Sequence, residues 1–223
     1  MGVLISGLFQ SVKGTVGNLV TSNRNGVNYV RVKSASVRTN QSEAQLTHQA
    51  KFALAKQFVT PLSEAIKLGD PSVKGQPLAK GQTVVNNVAA FVMKSAIAGV
   101  YPNLEVDYPK VELCKGNNLC QAEELAAKLE NGSLNVTWTH SGTSRFGKWS
   151  DNDTVVLVVY NLNNQQVGLS EGEATRKEKK VSMPIPGHFA GEKLVAYLFL
   201  ISEDETRTSQ SQYLGTFDVP AAV

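Results

Sequence analysis

Two stretches of this sequence have no polar side. Val155-Val156-Leu157-Val158-Val159-Tyr160 and Leu194-Val195-Ala196-Tyr197-Leu198-Phe199-Leu200-Ile201 are apolar without a break. They are short and rich in β-branched and aromatic residues, which makes them strands. Successive side chains of a strand point to opposite faces, so a strand in a sheet with one wet face should alternate. These two do not alternate, and something must therefore cover the second face of their sheet. The cover is either helical chain from elsewhere in the protein or another protein.

The rest of the C-terminal half has a period of two. KVELC (110–114), SLNVTWT (133–139), DTVVLVVYN (153–161), QQVGL (165–169), EKKVSMPI (178–185), KLVAYLFLIS (193–202) and SQYLGTFDV (211–219) read as strands. Turns between them come from Asn131-Gly132, Asn163-Asn164, Pro186-Gly187 and the acidic Glu203-Asp204-Glu205. Seven short strands at this spacing predict a β-sandwich. QAEELAAKLENG (121–132), rich in Ala, Glu and Leu, reads as a helical turn or two between the first pair.

Upstream, the pattern is helical. SEAQLTHQAKFALAKQF (42–58) places Leu46, Ala50, Ala53, Leu54 and Phe58 at helical spacing behind a capping Ser42. Thr60-Pro61 reads as the N-cap and first residue of a short helix that Gly69 ends. After the loop GDPSVKGQPLAKG (69–81), QTVVNNVAAFVMKSAIAG (82–99) gives a second amphipathic helix. Val84, Val88, Phe91, Val92 and Ser95 lie on one side, with Gly99 as its stop. These apolar stripes need a partner, and the double-sided strands need a cover, so the two are assigned to each other. The expected organisation is a basic hairpin and helical region over 1–109 and a sandwich over 110–223.

The first residues differ in charge from the rest. Of 22 Lys and Arg and 19 Asp and Glu, the first 60 residues hold seven bases (Lys13, Arg24, Arg31, Lys33, Arg38, Lys51, Lys56) and one acid, Glu43, a balance of +6. The remaining 15 bases and 18 acids give −3. In VGNLVTSNRNGVNYVRVKS (16–34), Asn25-Gly26 between alternating arms is a strong hairpin signal. On the second arm Val27, Tyr29, Arg31 and Lys33 project one way, and Asn28, Val30 and Val32 the other. Lys13, Arg24, Tyr29, Arg31, Lys33 and Arg38 are thus the candidate interaction surface. It suits phosphate, with an aromatic for stacking, or an acidic protein face.

Other classes of function find little support. No apolar run approaches the roughly 18 residues of a membrane span. MGVLISGLFQSV lacks the basic flank and cleavage site of a secretory signal, and its myristoylation match at Gly2 and Ser6 is loose. A cytoplasmic protein is expected, or a virion component if a phage encodes it. Cys114 and Cys120 read as reduced structural thiols. His48, His140 and His188 are scattered, without metal-ligand spacing, and His48 falls on the polar side of its helix. GTSRFGKW (142–149) imitates a phosphate loop, but Trp149 replaces the required Ser or Thr and a strand follows. His140, Ser141 and Ser144 lack the setting of a nucleophile. Asp151 and Asp153 lack the ligand count for calcium. Consecutive Glu123 and Glu124 diverge on their helical stretch. SEGEATRKEKK (170–180) reads as a solvated hairpin edge. No catalytic residue, metal site or cofactor is assigned, and no small-molecule substrate is identified.

SLNVTWT, DTVVLVVYN, KLVAYLFLIS and TSQSQYLG resemble a fibronectin type III-like sandwich, with Trp in the second strand, Tyr in the sixth and serines before the last. The whole chain also resembles a family of small bacterial proteins built on a domain of unknown function. Shared features are Gly14, Val16, Gly17, Asn18, Val20, Gly26, Tyr29 and Arg31; then Asp107, Tyr108, Lys110 and Val111; and Ser209 to Gly215. The resemblance implies a fold and no chemistry, and true fibronectin modules lack this N-terminal half. The expected fold class is therefore α+β, mostly β, with an immunoglobulin-like sandwich behind a hairpin and two helices. The expected function is a non-enzymatic structural or adaptor role through assembly with itself or another protein, a phage virion component being one form. Nucleic-acid binding by the hairpin is one alternative. The other is a ligand- or carbohydrate-binding sandwich using loop aromatics Phe146, Trp149 and Tyr213.

Overall fold

A computed structural model describes residues 2–4, 13–24, 26–34, 40–69, 83–139 and 149–220. Their contacts group into two compact units, one from the first 46 residues and one from Thr47 onward.

The first unit is an antiparallel sheet of β1 (Gly2–Leu4), β2 (Gly14–Val16), β3 (Leu19–Arg24) and β4 (Val27–Val32), in the order β1-β4-β3-β2. Arg24 pairs with Val27 across the expected hairpin turn. Gly26 there has φ +78°, a conformation glycine adopts without strain. Asn25 lies outside the described residues. The turn at Gly17-Asn18 joins β2 to β3, and the Lys33 amide donates to the Asn18 carbonyl at 2.7 Å.

The second unit begins on α1 (Glu43–Val59). Ser42 Oγ accepts from the Gln45 amide while Gln45 Oε1 accepts from the Ser42 amide, a reciprocal cap that satisfies two orphan donors. Then come α2 (Ser63–Leu68), α3 (Val84–Ser95) and a small hairpin of β5 (Ile97–Val100) and β6 (Asn103–Val106). Seven strands follow: β7 (Glu123–Glu130), β8 (Ser133–Thr139), β9 (Thr154–Asn161), β10 (Val167–Thr175), β11 (Lys180–Pro184), β12 (Lys193–Ile201) and β13 (Gln212–Asp218). They form two antiparallel sheets, β11-β8-β7 and β10-β9-β12-β13. This is the expected seven-stranded sandwich.

The double-sided strands sit at its centre. Val155, Leu157 and Val159 of β9, with Leu194, Ala196, Leu198 and Leu200 of β12, face the three-stranded sheet and meet Leu134, Val136, Trp138, Val181 and Met183. The intervening residues Val156, Val158, Tyr160, Val195, Tyr197 and Phe199 meet Phe58, Val59, Leu62, Ile66, Val88 and Val92 of the helical segment. The expected helical cover is therefore present. Fully burying each such Val, Leu or Phe contributes roughly 1.5–3 kcal/mol.

Several local expectations are corrected. EELAAKLE is strand β7, not helix: Leu125, Ala127 and Leu129 alternate toward the core, and residues 126–130 pair with β8 through the Asn131-Gly132 turn. Eight residues are too few to hold a helix alone, so pairing overrides propensity. KVELC is not a strand. Tyr108–Lys110 is a short 3₁₀ turn, and Leu113 then donates its amide to Ser211 Oγ at 2.8 Å, a side chain standing in for a ladder partner. α3 ends at Ser95, and Gly99 lies within β5 at φ +88°, where a Cβ would come within 2.1 Å of the Asn103 carbonyl oxygen. Leu62, not Thr60, is the N-cap of α2, and the Thr60 hydroxyl donates back to the Lys56 carbonyl at 2.6 Å. In α1 the buried face is Ala55, Phe58 and Val59, while Ala53 is exposed. His48 is on the exposed side, as expected.

Candidate functional site

The register of the first unit sorts its residues onto two faces. Residues opposite each other in an antiparallel pair share a face. Val16 opposes Leu19, which opposes Val32, so an apolar row crosses three strands. On the other face Thr15 opposes Val20, which opposes Arg31, and Ser22 opposes Tyr29. The expected division of β4 therefore holds, with Tyr29 and Arg31 on one face and Val30 and Val32 on the other. Val32 is 70% exposed and Val16 43%. Thr21 alone is buried among the described side chains of this sheet, and its hydroxyl donates to the Gly14 carbonyl at 3.2 Å. Lys13, Arg31 and Lys33 are exposed, and no ion pair engages them among the described residues. Arg24 ends β3, opposite Val27. Arg38 lies outside the described residues. The structure brings Tyr29 and Arg31 together on one face of β4, with Val20 opposite Arg31 and Lys33 just past the strand's end.

Of the loop aromatics, Tyr213 and Trp149 lie among the described residues. Tyr213 is on strand β13, half-buried against the helical core, 5.8 Å from the Tyr197 ring, with its hydroxyl 2.9 Å from Thr216 Oγ1. It is a packing residue, because the strand's register with β12 directs it inward. Trp149 is 39% exposed, just before β9. Phe146 lies outside the described residues.

Two polar constellations had no clear signal in the sequence. Arg176, within the supposedly solvated SEGEATRKEKK, is completely buried. Its Nε donates to Asp153 Oδ2 at 2.9 Å, its other nitrogens to the Cys120 and Gln121 carbonyls at 2.7 and 3.2 Å, and its own carbonyl accepts from Trp138 Nε1 at 2.9 Å. Asp153 is equally buried, and its Oδ2 also accepts from the Ser150 amide. This aspartate is therefore one half of an internal ion pair. Before Arg176, Ser170–Thr175 completes β10. The second constellation is a hydroxyl seam. Thr208 donates to the Gly69 carbonyl at 3.1 Å, Ser209 Oγ accepts from the Leu200 amide at 2.9 Å, and Ser211 holds Leu113. The TSQSQYLG motif was visible in the sequence, but its role as a stitch between α2, β12 and segment 111–114 was not.

The buried titratable groups are not poised for chemistry. Burial pushes the Cys114 thiol up to about 12, against which its hydrogen bonds with Ser211 pull only partly. Both cysteines are buried thiols outside any disulfide. Burial also raises Tyr160 to about 12 and lifts Tyr197, whose hydroxyl donates to the Tyr108 carbonyl at 2.9 Å. Among the described residues no three acids, histidines or cysteines gather as metal ligands, and no helix is long and apolar enough to cross a membrane.

These features define a protein with a fibronectin III-like sandwich backed by helices and preceded by a separate cationic β-sheet. The chain belongs to the family of unknown function DUF6266, whose model matches residues 11–215. No curated protein matches it in sequence. Among solved structures it is similar to the fn3 domain of human contactin 1, at 10% identity over 47% of this chain and 80% of that one, with a TM-score of 0.32. It is also similar to the fn3 domain of the human collagen alpha-1(XX) chain, at 16% identity over 48% and 90%, with the same TM-score of 0.32.

Proposed function

We propose that this chain is a non-enzymatic structural or adaptor protein that acts by assembly, with the N-terminal sheet as its contact and a second copy of the chain as the partner. The observation that carries the reading is the Val16–Leu19–Val32 row, with Val16 and Val32 exposed and Leu19 half-buried, on a sheet that buries a single described side chain. Covering each of the exposed valines Val16 and Val32 fully contributes roughly 1.5–3 kcal/mol. The partner follows from charge. Residues 1–60 balance to +6 and the remainder to −3, so the N-terminal segment of one copy is attracted to the body of another.

Light scattering of the full chain across a dilution series tests this. The expected result is a mass above that of one chain that falls on dilution, with Val32→Glu and Arg31→Glu each shifting the chain to monomer. A monomer at every concentration refutes it. Nucleic-acid binding is the second reading, favoured by Tyr29 and Arg31 sharing a face. It predicts duplex binding that weakens with salt at a slope of about −0.9 per phosphate contact. No binding at low salt ends it.

A further inference from the structure

A cavity of about 350 Å³ opens where β9 begins and β12 ends. Its wall carries Trp149, Leu119, Glu203, Asp204 and Arg207. We infer that this cavity is a carbohydrate-binding site, in which the Trp149 indole stacks on the apolar face of a sugar ring while Glu203, Asp204 and Arg207 bond its hydroxyls. Nothing in the assembly reading requires it, because it lies wholly in the second unit.

The argument rests on matching chemistry. A pyranose has one face of C–H groups and an edge of hydroxyls, each of which both donates and accepts. A half-exposed indole supplies the flat apolar surface. Two carboxylates accept, and the Arg207 guanidinium, a five-donor fork, donates. A purely cationic ligand would meet Arg207 beside its carboxylates, and a purely anionic one would meet both acids. A neutral polyhydroxyl ligand satisfies all three groups, and its C–H face uses the indole as well. The volume is at the lower end of the roughly 300–1,000 Å³ of small-molecule sites, suited to a short saccharide.

The acceptors are also held in place beforehand. Asp204 Oδ2 accepts from Thr206 Oγ1 at 2.7 Å, while Oδ1 accepts from the Thr206 amide at 3.2 Å and from the Ser202 hydroxyl. These bonds bring the Asp204 carboxyl down to about 2, so it remains an acceptor across the neutral range. The Ser202 hydroxyl in turn accepts from the Arg207 amide at 2.9 Å, fixing the chain on which the guanidinium is mounted. Glu203 is steadied by Asn152 Nδ2 at 3.3 Å. A fixed side chain loses little rotamer freedom on binding, which removes part of the usual cost. Asp153, at the base, is already committed to Arg176 and the Ser150 amide and does not belong to the ligand set.

The chain has two tryptophans, and Trp138 is buried with its indole N–H bonded, so a ligand-induced change in tryptophan emission reports on Trp149. The full chain is titrated with cellohexaose, laminarihexaose, mannohexaose and chitohexaose, and separately with tetramethylammonium chloride as a cation probe. At least one saccharide is expected to give a saturable blue shift. Calorimetry should then show affinity lowered by about tenfold or more in Trp149→Ala, a difference of about 1.4 kcal/mol. In Arg207→Ala the loss should be about two- to tenfold, one hydrogen bond's worth. Thermal melts confirm that both variants fold, and Glu203→Gln serves as the third variant if either does not. Absence of a response to all four saccharides overturns the assignment. So does unchanged saccharide affinity in Trp149→Ala, or saturation by tetramethylammonium alone.

Discussion

Arg176→Met tests the buried ion pair most directly. The arginine is 0% exposed, and its guanidinium donates to Asp153 Oδ2, the Cys120 carbonyl and the Gln121 carbonyl. Methionine keeps much of the volume and removes all three donors. Asp153 then retains the Ser150 amide but loses its counter-charge, while two carbonyls lose their partner. Removing one member of a buried pair costs about 3–5 kcal/mol, largely because the remaining charge is stranded. For a chain of this length each kcal/mol moves the melting temperature by roughly 2–4 °C, so a fall of about 6–20 °C is expected. Calorimetry and urea unfolding at neutral pH measure it. The double variant Asp153→Leu/Arg176→Met removes both charges and should recover more than half of the loss. A single-variant cost below about 1 kcal/mol, or a double variant no better than Arg176→Met, would show that the pair is not desolvated as described.

Ser211→Ala leaves the Leu113 amide without its 2.8 Å acceptor and should cost about 1–3 kcal/mol in urea unfolding, whereas Ser211→Thr, which keeps the hydroxyl, should cost less. Gly69→Ala would place a Cβ 2.7 Å from Cys114 Cβ although φ there is ordinary, so overpacking of about 1–3 kcal/mol is expected in urea unfolding, and Cys114→Ala, which keeps that Cβ, should relieve little of it. The native Cys114 thiol, held protonated up to about 12, should resist DTNB at pH 8 and react once urea unfolds the chain. For Cys114 and Tyr160 the folded state favours the protonated form, with values raised from 9.0 and 10.0 to about 12. Their contribution is fully present below pH 9 and is lost as pH rises toward 12, so the urea midpoint should fall over that window and fall less in Tyr160→Phe.

The sequence by itself determined the layers. Residues 155–160 and 194–201, apolar on both sides, required a sheet covered twice, and the apolar stripes of α1 and α3 were the available cover. That inference needs only strand periodicity and the cost of exposing apolar surface. The Asn25-Gly26 hairpin was equally legible, because a two-residue turn is decided by backbone conformations that few residues adopt. Tertiary structure decided the rest. EELAAKLE has helical composition, yet it pairs with β8 because pairing buries Leu125, Ala127 and Leu129 at once, and local propensities of tenths of a kcal/mol do not compete with that. Arg176 and Asp153 are 23 residues apart in the chain and carry no local mark of burial. The antiparallel pairing of β9 with β10, Thr154 opposite Thr175, brings them together, and a charge goes inside only where a partner and carbonyls are already waiting. The grouping of Trp149 with Glu203, Asp204 and Arg207 has the same origin. Periodicity is a property of neighbours in sequence, whereas a site is set by distances between strand ends that no run of neighbours records.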